Sequence, residues 1–210
     1  MTKDDEKSSI IVTEENWKDV FWQLTDVSPY LETYLKSYLQ KYQARLGANW
    51  VERISQFFGF VHDEKQVEAI DYYEGNLSQF PPNAWLIFFV AKAHCYQKAN
   101  YFYARHLYRQ AEKELPEYPQ IHMDLGLIFM LLNNWEQALA YYHQTFAFAK
   151  NDPLNEADLQ AKALFNQAII YANYFHDIPK SADLLRKALE IRPDYDVAKR
   201  ALKNMKQSII

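Results

Sequence analysis

The sequence predicts an all-α fold of stacked helix pairs, and three observations carry that prediction. A unit of thirty-four residues recurs, with its clearest copy over 85–118 and the next opening at Pro119. Small residues and prolines keep one fixed separation in several copies. Alternating strand patterns are absent, and 4 glycines and 8 prolines in 210 residues are too few for a strand-and-turn or disordered chain. A single helix pair cannot bury its apolar face alone and needs a neighbour stacked on it. The expected product is an elongated, curved scaffold with a large concave surface and no built-in reaction centre.

Taken in order, residues 1–12 form an acidic lead containing Asp4-Asp5-Glu6, expected to be disordered. Residues 13–48 read as an N-terminal helical extension, with helices over 14–24 and 28–46. Thr13, with Glu15 and Asn16 behind it, can start the first. The second puts Leu31, Tyr34, Leu35, Tyr38, Leu39 and Tyr42 on one stripe. Repeats occupy 50–195: a degenerate copy over 50–83, copies over 85–118 and 119–152, and a last one over about 162–195. Between the last two, residues 154–160 read as an inserted loop or an extra turn on the next helix. Residues 196–210 are a capping helix and tail. That helix turns Val197, Ala198, Ala201, Leu202 and Met205 inward and the basic Lys199, Arg200, Lys203 and Lys206 outward.

The second helix of each unit has the most regular spacing. Ala69, Ala104 and Ser181 each stand twelve residues before a proline, Pro81, Pro116 and Pro193 respectively. A small residue lets two helices approach closely, and the proline prevents continuation of the helix. Four residues after Ala69, Ala104, Ala138 and Ser181 come Tyr73, Tyr108, Tyr142 and Leu185, bulky groups one turn on along the same face. The turns agree: Ala99-Asn100-Tyr101, Asn133-Asn134-Trp135 and His176-Asp177-Ile178-Pro179 precede the small residue in three copies. Asn tolerates the left-handed backbone that ends a helix, and proline suits a helix's first turn.

With Leu125-Gly126, Phe129, Ala138 and Tyr142 in one copy, and Ala104, Tyr108, Ala111 and Pro116 in another, the chain resembles the tetratricopeptide repeat (TPR) family. The run Ala188-Leu189-Glu190-Ile191-Arg192-Pro193 is similar to the family's usual helix ending. The resemblance covers roughly two thirds of the chain and implies a right-handed α-α superhelix. Departures are visible too. Lys92 stands where Gly126 supplies the usual small residue, and either Ala168 or Ile169 can take that place in the last copy.

The resemblance implies that the first helix of each pair lines the concave surface. In one copy the stripe is Leu86, Phe89, Val90, Ala93, Tyr96 and Gln97; in the next it is Gln120, Met123, Asp124, Leu127, Met130 and Leu131. The implied function is non-enzymatic: an adaptor or chaperone-like scaffold holding a hydrophobic or amphipathic segment of another protein. Competing uses of the same surface are a homo-oligomer interface and residues 28–46 folding back into it. Repeat proteins that clamp the acidic tail of heat-shock chaperones use lysine, arginine and asparagine here, whereas this chain has Phe89, Ala93, Met123 and Asp124. Asp124 is expected to repel an anionic tail.

Other chemistry finds little footing. The six histidines show no four-residue helical spacing of a zinc site, Cys95 is the single cysteine, and no glycine-rich phosphate loop occurs. His94 and Cys95 are helix neighbours pointing about a hundred degrees apart. Neither metal nor cofactor is expected. No apolar run reaches the roughly eighteen residues of a membrane helix, and no signal core is present, so a cytoplasmic location is expected. Nucleic-acid binding through the basic C-terminal helix is the alternative of another class. Eight basic residues from Lys180 onward face four acidic ones, but the whole chain is at −4 and Glu190, Asp194 and Asp196 interrupt the stripe. The tail Ser208-Ile209-Ile210 matches a peptide captured on a sheet edge, with a frayed end as the default reading.

Overall fold

The computed structural model describes residues 11–207. Most of the acidic lead and the Ser208-Ile209-Ile210 tail therefore lie outside the described residues. Within them are eleven α-helices and no strand. The chain divides into two compact units. The first takes residues up to Val27 with Leu35–Pro82, and the second takes Ser28–Tyr34 with the residues from Asn83 on.

In the first unit, Thr13 and Asn16 exchange bonds: the Thr13 amide donates to Asn16 Oδ1 at 2.7 Å and the Asn16 amide to Thr13 Oγ1 at 3.3 Å. This turn delays α1 to Trp17–Leu24. Helix α2 spans Pro29–Tyr42 and passes into a short 3-10 turn, Gln43–Arg45. Helices α3 (Ala48–His62) and α4 (Gln66–Gly75) form a pair. Trp50, 1% exposed, centres the core, with Trp17, Phe21 and Tyr38 ringed around it at centroid distances of 6.3, 5.1 and 5.9 Å. The Tyr38 hydroxyl donates to the Pro81 carbonyl at 2.6 Å, so the buried phenol keeps a partner.

The second unit holds three hairpins: α5 (Ala84–Tyr96) with α6 (Tyr101–Glu114), α7 (Pro119–Leu131) with α8 (Trp135–Phe148), and α9 (Glu156–Asn173) with α10 (Ile178–Ile191). Helix α11 (Asp196–Gln207) packs on α10. Small residues set the approach of each pair. Ala104, Ala138 and Ser181 are fully buried, as are Tyr108, Tyr142 and Leu185 one turn on. Ser181 satisfies its hydroxyl by donating to the Ala168 carbonyl at 2.7 Å. Ala168 is fully buried among Leu184 and Leu185, while Ile169 is half-buried, so Ala168 is the residue packed against α10.

In one of the three hairpin turns an Asn takes the left-handed place as expected, and in the other two an Ala and a His take it. The left-handed residue is the first of each group, Ala99, Asn133 or His176, with φ of 49°, 57° and 55°. Asn100, Asn134 and Asp177, one residue later, are N-caps, accepting from the amides of Tyr103, Gln137 and Lys180. The polar residue is thus selected for capping, which satisfies an orphan amide of the next helix. Residues 156–160 belong to α9 as an added turn, making it 18 residues against 13 for α5 and α7.

Candidate partner-binding groove

Helices α5, α7 and α9 line one trough of about 600 Å³, closed at one side by Tyr195 before α11. Helix α5 buries ten of its thirteen residues, leaving Phe89, Lys92 and Tyr96 as its outward stripe. Helix α7 presents Gln120, Met123 and Leu127 at the same i, i+3, i+7 spacing, with Asp124 beside them. From α9 and its preceding residue come Asn155, Asp158, Leu159, Lys162, Phe165 and Asn166. Phe89 is fixed by edge contacts with Trp85 and Phe88 at 5.6 and 5.4 Å. The floor is therefore apolar and the rim polar.

Asp124 sits in this wall but is only 6% exposed. Both its oxygens are occupied, Oδ1 by the Tyr96 hydroxyl and Oδ2 by the Tyr108 hydroxyl, each at 2.7 Å. Burial pushes its carboxyl above the ordinary carboxylate range, while the two hydroxyls and the Lys92 ammonium pull the other way. The same carboxyl, after burial itself, raises the Tyr96 and Tyr108 phenols. On α9, Asp158 holds Lys162 at 2.6 Å and also accepts from Arg192, whose guanidinium lies over the Tyr195 ring at 5.1 Å.

Of the residues expected to line the groove, Phe89, Tyr96, Gln120, Met123, Asp124 and Leu127 do so. Leu86 and Val90 do not: they are 3% and 2% exposed and belong to the core. Ala93 is buried as well. The reason is that α5 is covered on nearly every side, so its open stripe is narrower than a half-exposed helix would have. Met130 is half-buried but outside the cavity lining, and Gln97 and Leu131 lie outside it too. Asp124 is 6% exposed, with both oxygens accepting from tyrosine hydroxyls inside the wall, so its carboxyl is withdrawn from direct contact with a guest. Sequence reasoning missed Lys92 and all of the α9 wall. Leu159, Lys162 and Asn166 do carry the i, i+3, i+7 signal, hidden by the added turn and the open register of that copy.

Residues 28–34 do not line the trough. They lie instead at the helix starts: Tyr34 Oη accepts from the Ala84 amide at 2.8 Å and Tyr30 Oη from the Glu117 amide at 3.0 Å. The Tyr30 ring stacks on Tyr118 at 6.5 Å. Cys95 is 3% exposed, and burial, followed by the Asp124 charge, pushes its thiol up to about 12. It is a packed thiol rather than a nucleophile. His122 is 1% exposed, with Nε2 at 2.7 Å from the Pro116 carbonyl and its ring stacked on Tyr141. Among the described residues no group of three His, Cys, Asp or Glu side chains is placed to hold a metal, and no helix is long and apolar enough to cross a membrane.

Residues 117–194, the stretch carrying α7 to α10, match the tetratricopeptide repeat family. A TPR repeat-containing protein of Methanocaldococcus jannaschii is 24% identical over 169 residues, 80% of this chain. Tetratricopeptide repeats thus occupy residues 117–194. The chain spans 27% of the length of that archaeal TPR protein. Among solved structures, residues 41 to the end of MamA from Desulfovibrio magneticus RS-1 share the fold with a TM-score of 0.65 at 15% identity, over 77% of this chain and 86% of that one. YrrB, a TPR protein with an unusual peptide-binding site, gives 0.60 at 19% identity, over 89% and 97%. TPR folds serve as protein–protein interaction scaffolds, and TPR proteins are in general non-enzymatic.

Proposed function

We propose that this protein is an adaptor or chaperone-like scaffold that holds an apolar or amphipathic segment of another protein in the trough of α5, α7 and α9. The observation that carries this reading is the row Phe89, Met123 and Leu127, half-buried within one cavity that also receives Leu159 and Phe165. Covering a fully exposed side chain of this kind contributes about 1.5–3 kcal/mol. These chains are already partly covered, so each adds roughly 1 kcal/mol, and association costs several. Apolar burial of these few chains alone therefore gives weak, reversible binding, with no bond made or broken. Met123 adds tolerance for guests of different shape.

The test is a selection of binders from a random dodecapeptide library, followed by fluorescence anisotropy on the winners. Leu127→Glu is expected to abolish binding while leaving the helical circular dichroism unchanged. Winners that bind Leu127→Glu as well as the parent would show that the trough is not the site.

A further inference from the structure

The acids of the trough are engaged by direct contacts within the chain, whereas one of its cations reaches no acid at ion-pair distance and only acts on Asp124 from further off. Asp124 spends both oxygens on tyrosine hydroxyls. Asp158 is shared by two cations, Lys162 at 2.6 Å and Arg192. Lys92, by contrast, is exposed on the trough wall and makes no ion pair among the described residues. It occupies the position in α5 that Gly126 occupies in α7, where close packing against the next helix leaves no room for a side chain. Its ammonium is thus set one turn from Phe89 and Tyr96, at the border of the apolar floor.

We propose that the guest segment is acidic, an apolar stretch carrying Asp or Glu within it, and that Lys92 selects it by pairing with that side chain. This rests on the groove reading above. Charge complementarity names the occupant: a basic guest would meet Lys92 with no carboxylate left over to receive it, since Asp124 and Asp158 are engaged. An internal side chain fits better than a chain-terminal carboxylate. A terminus gains most from several donors converging on its two oxygens, whereas Lys92 stands among Phe88, Phe89 and Tyr96, and Lys162 is held by Asp158. Pairing at an exposed lysine is worth about threefold to fivefold in Kd and weakens with salt.

The probe is a random dodecapeptide library made in two forms, C-terminally amidated and with a free carboxylate, screened against the full chain and against Lys92→Gln, Lys92→Glu and Leu127→Glu. Circular dichroism checks that each variant folds. From the amidated form, the parent is expected to enrich apolar peptides containing Asp or Glu. Lys92→Gln should lose the acidic enrichment, Lys92→Glu should reverse it towards Lys and Arg, and a selected acidic peptide should bind Lys92→Gln about threefold to fivefold more weakly. Apolar winners with no acidic bias, or a bias that survives in Lys92→Gln, overturn this inference and leave the groove reading standing. Enrichment confined to the free-carboxylate form also overturns it, in favour of a terminus. No enrichment at all, or winners indifferent to Leu127→Glu, overturns the groove reading and the inference together.

Discussion

The ring of Tyr142 lies where a side chain on Gly126 would have to go: a Cβ built there meets Tyr142 Cε1 at 2.7 Å and Cδ1 at 2.9 Å. Tyr142 is fully buried, so its ring has no free space to yield. Gly126→Ala recovers about 1 kcal/mol of helix propensity but pays about 1–3 kcal/mol of overpacking. A net loss of about 1 kcal/mol, seen as a melting midpoint lowered by about 2–4 °C, is expected by thermal denaturation.

Two residues of the first helices, both apolar, separate core from groove. Val90 is 2% exposed, so Val90→Asp buries an unpaired charge and should cost more than about 3 kcal/mol, collapsing the helical signal on mild heating. Leu127 is half-buried in the trough wall, and Leu127→Glu should stay within about 1 kcal/mol of the parent in urea unfolding. Equal losses at the two positions would place Leu127 in the core.

Asp124 makes stability depend on pH. Its carboxyl is raised in the folded chain, chiefly by burial, so the folded state holds a proton that the unfolded state has released. Its contribution is fully present below the ordinary carboxylate value of about 3.8 and is lost as pH climbs through the raised one. Asp124→Asn removes that dependence. Urea unfolding of parent and variant across a pH series should show the difference moving in the variant's favour as pH rises through this window; a constant difference would show that Asp124 is not shifted.

Tyr34 supplies the acceptor for the Ala84 amide at the start of α5. Tyr34→Phe leaves that amide without it, at a cost of about 1 kcal/mol. Hydrogen exchange should show the Ala84 amide opening faster in the variant, with the Tyr103 amide, capped by Asn100, unchanged.

The repeat period was legible because local chemistry enforces it. Ala104, Ala138 and Ser181 with Tyr108, Tyr142 and Leu185 are the contacts of each hairpin, and all are read from spacing alone. The turns were half legible. Asn100 and Asn134 marked their places correctly, yet their role is capping, and the left-handed strain falls on Ala99 and Asn133. A cap and a left-handed residue favour the same amino acids, so composition does not distinguish them.

What the sequence by itself determined is the all-α repeat, the hairpin contacts and the turn positions. What only the tertiary structure decided is which faces stay uncovered. Helical spacing says that Leu86, Phe89, Val90 and Lys92 lie on particular sides of one helix, but not how many neighbours close over each side. Packing buries Leu86 and Val90, opens Phe89 and Lys92, and brings Lys162 across from a helix lengthened by one turn. Burial is a property of several elements at once, whereas period is a property of one.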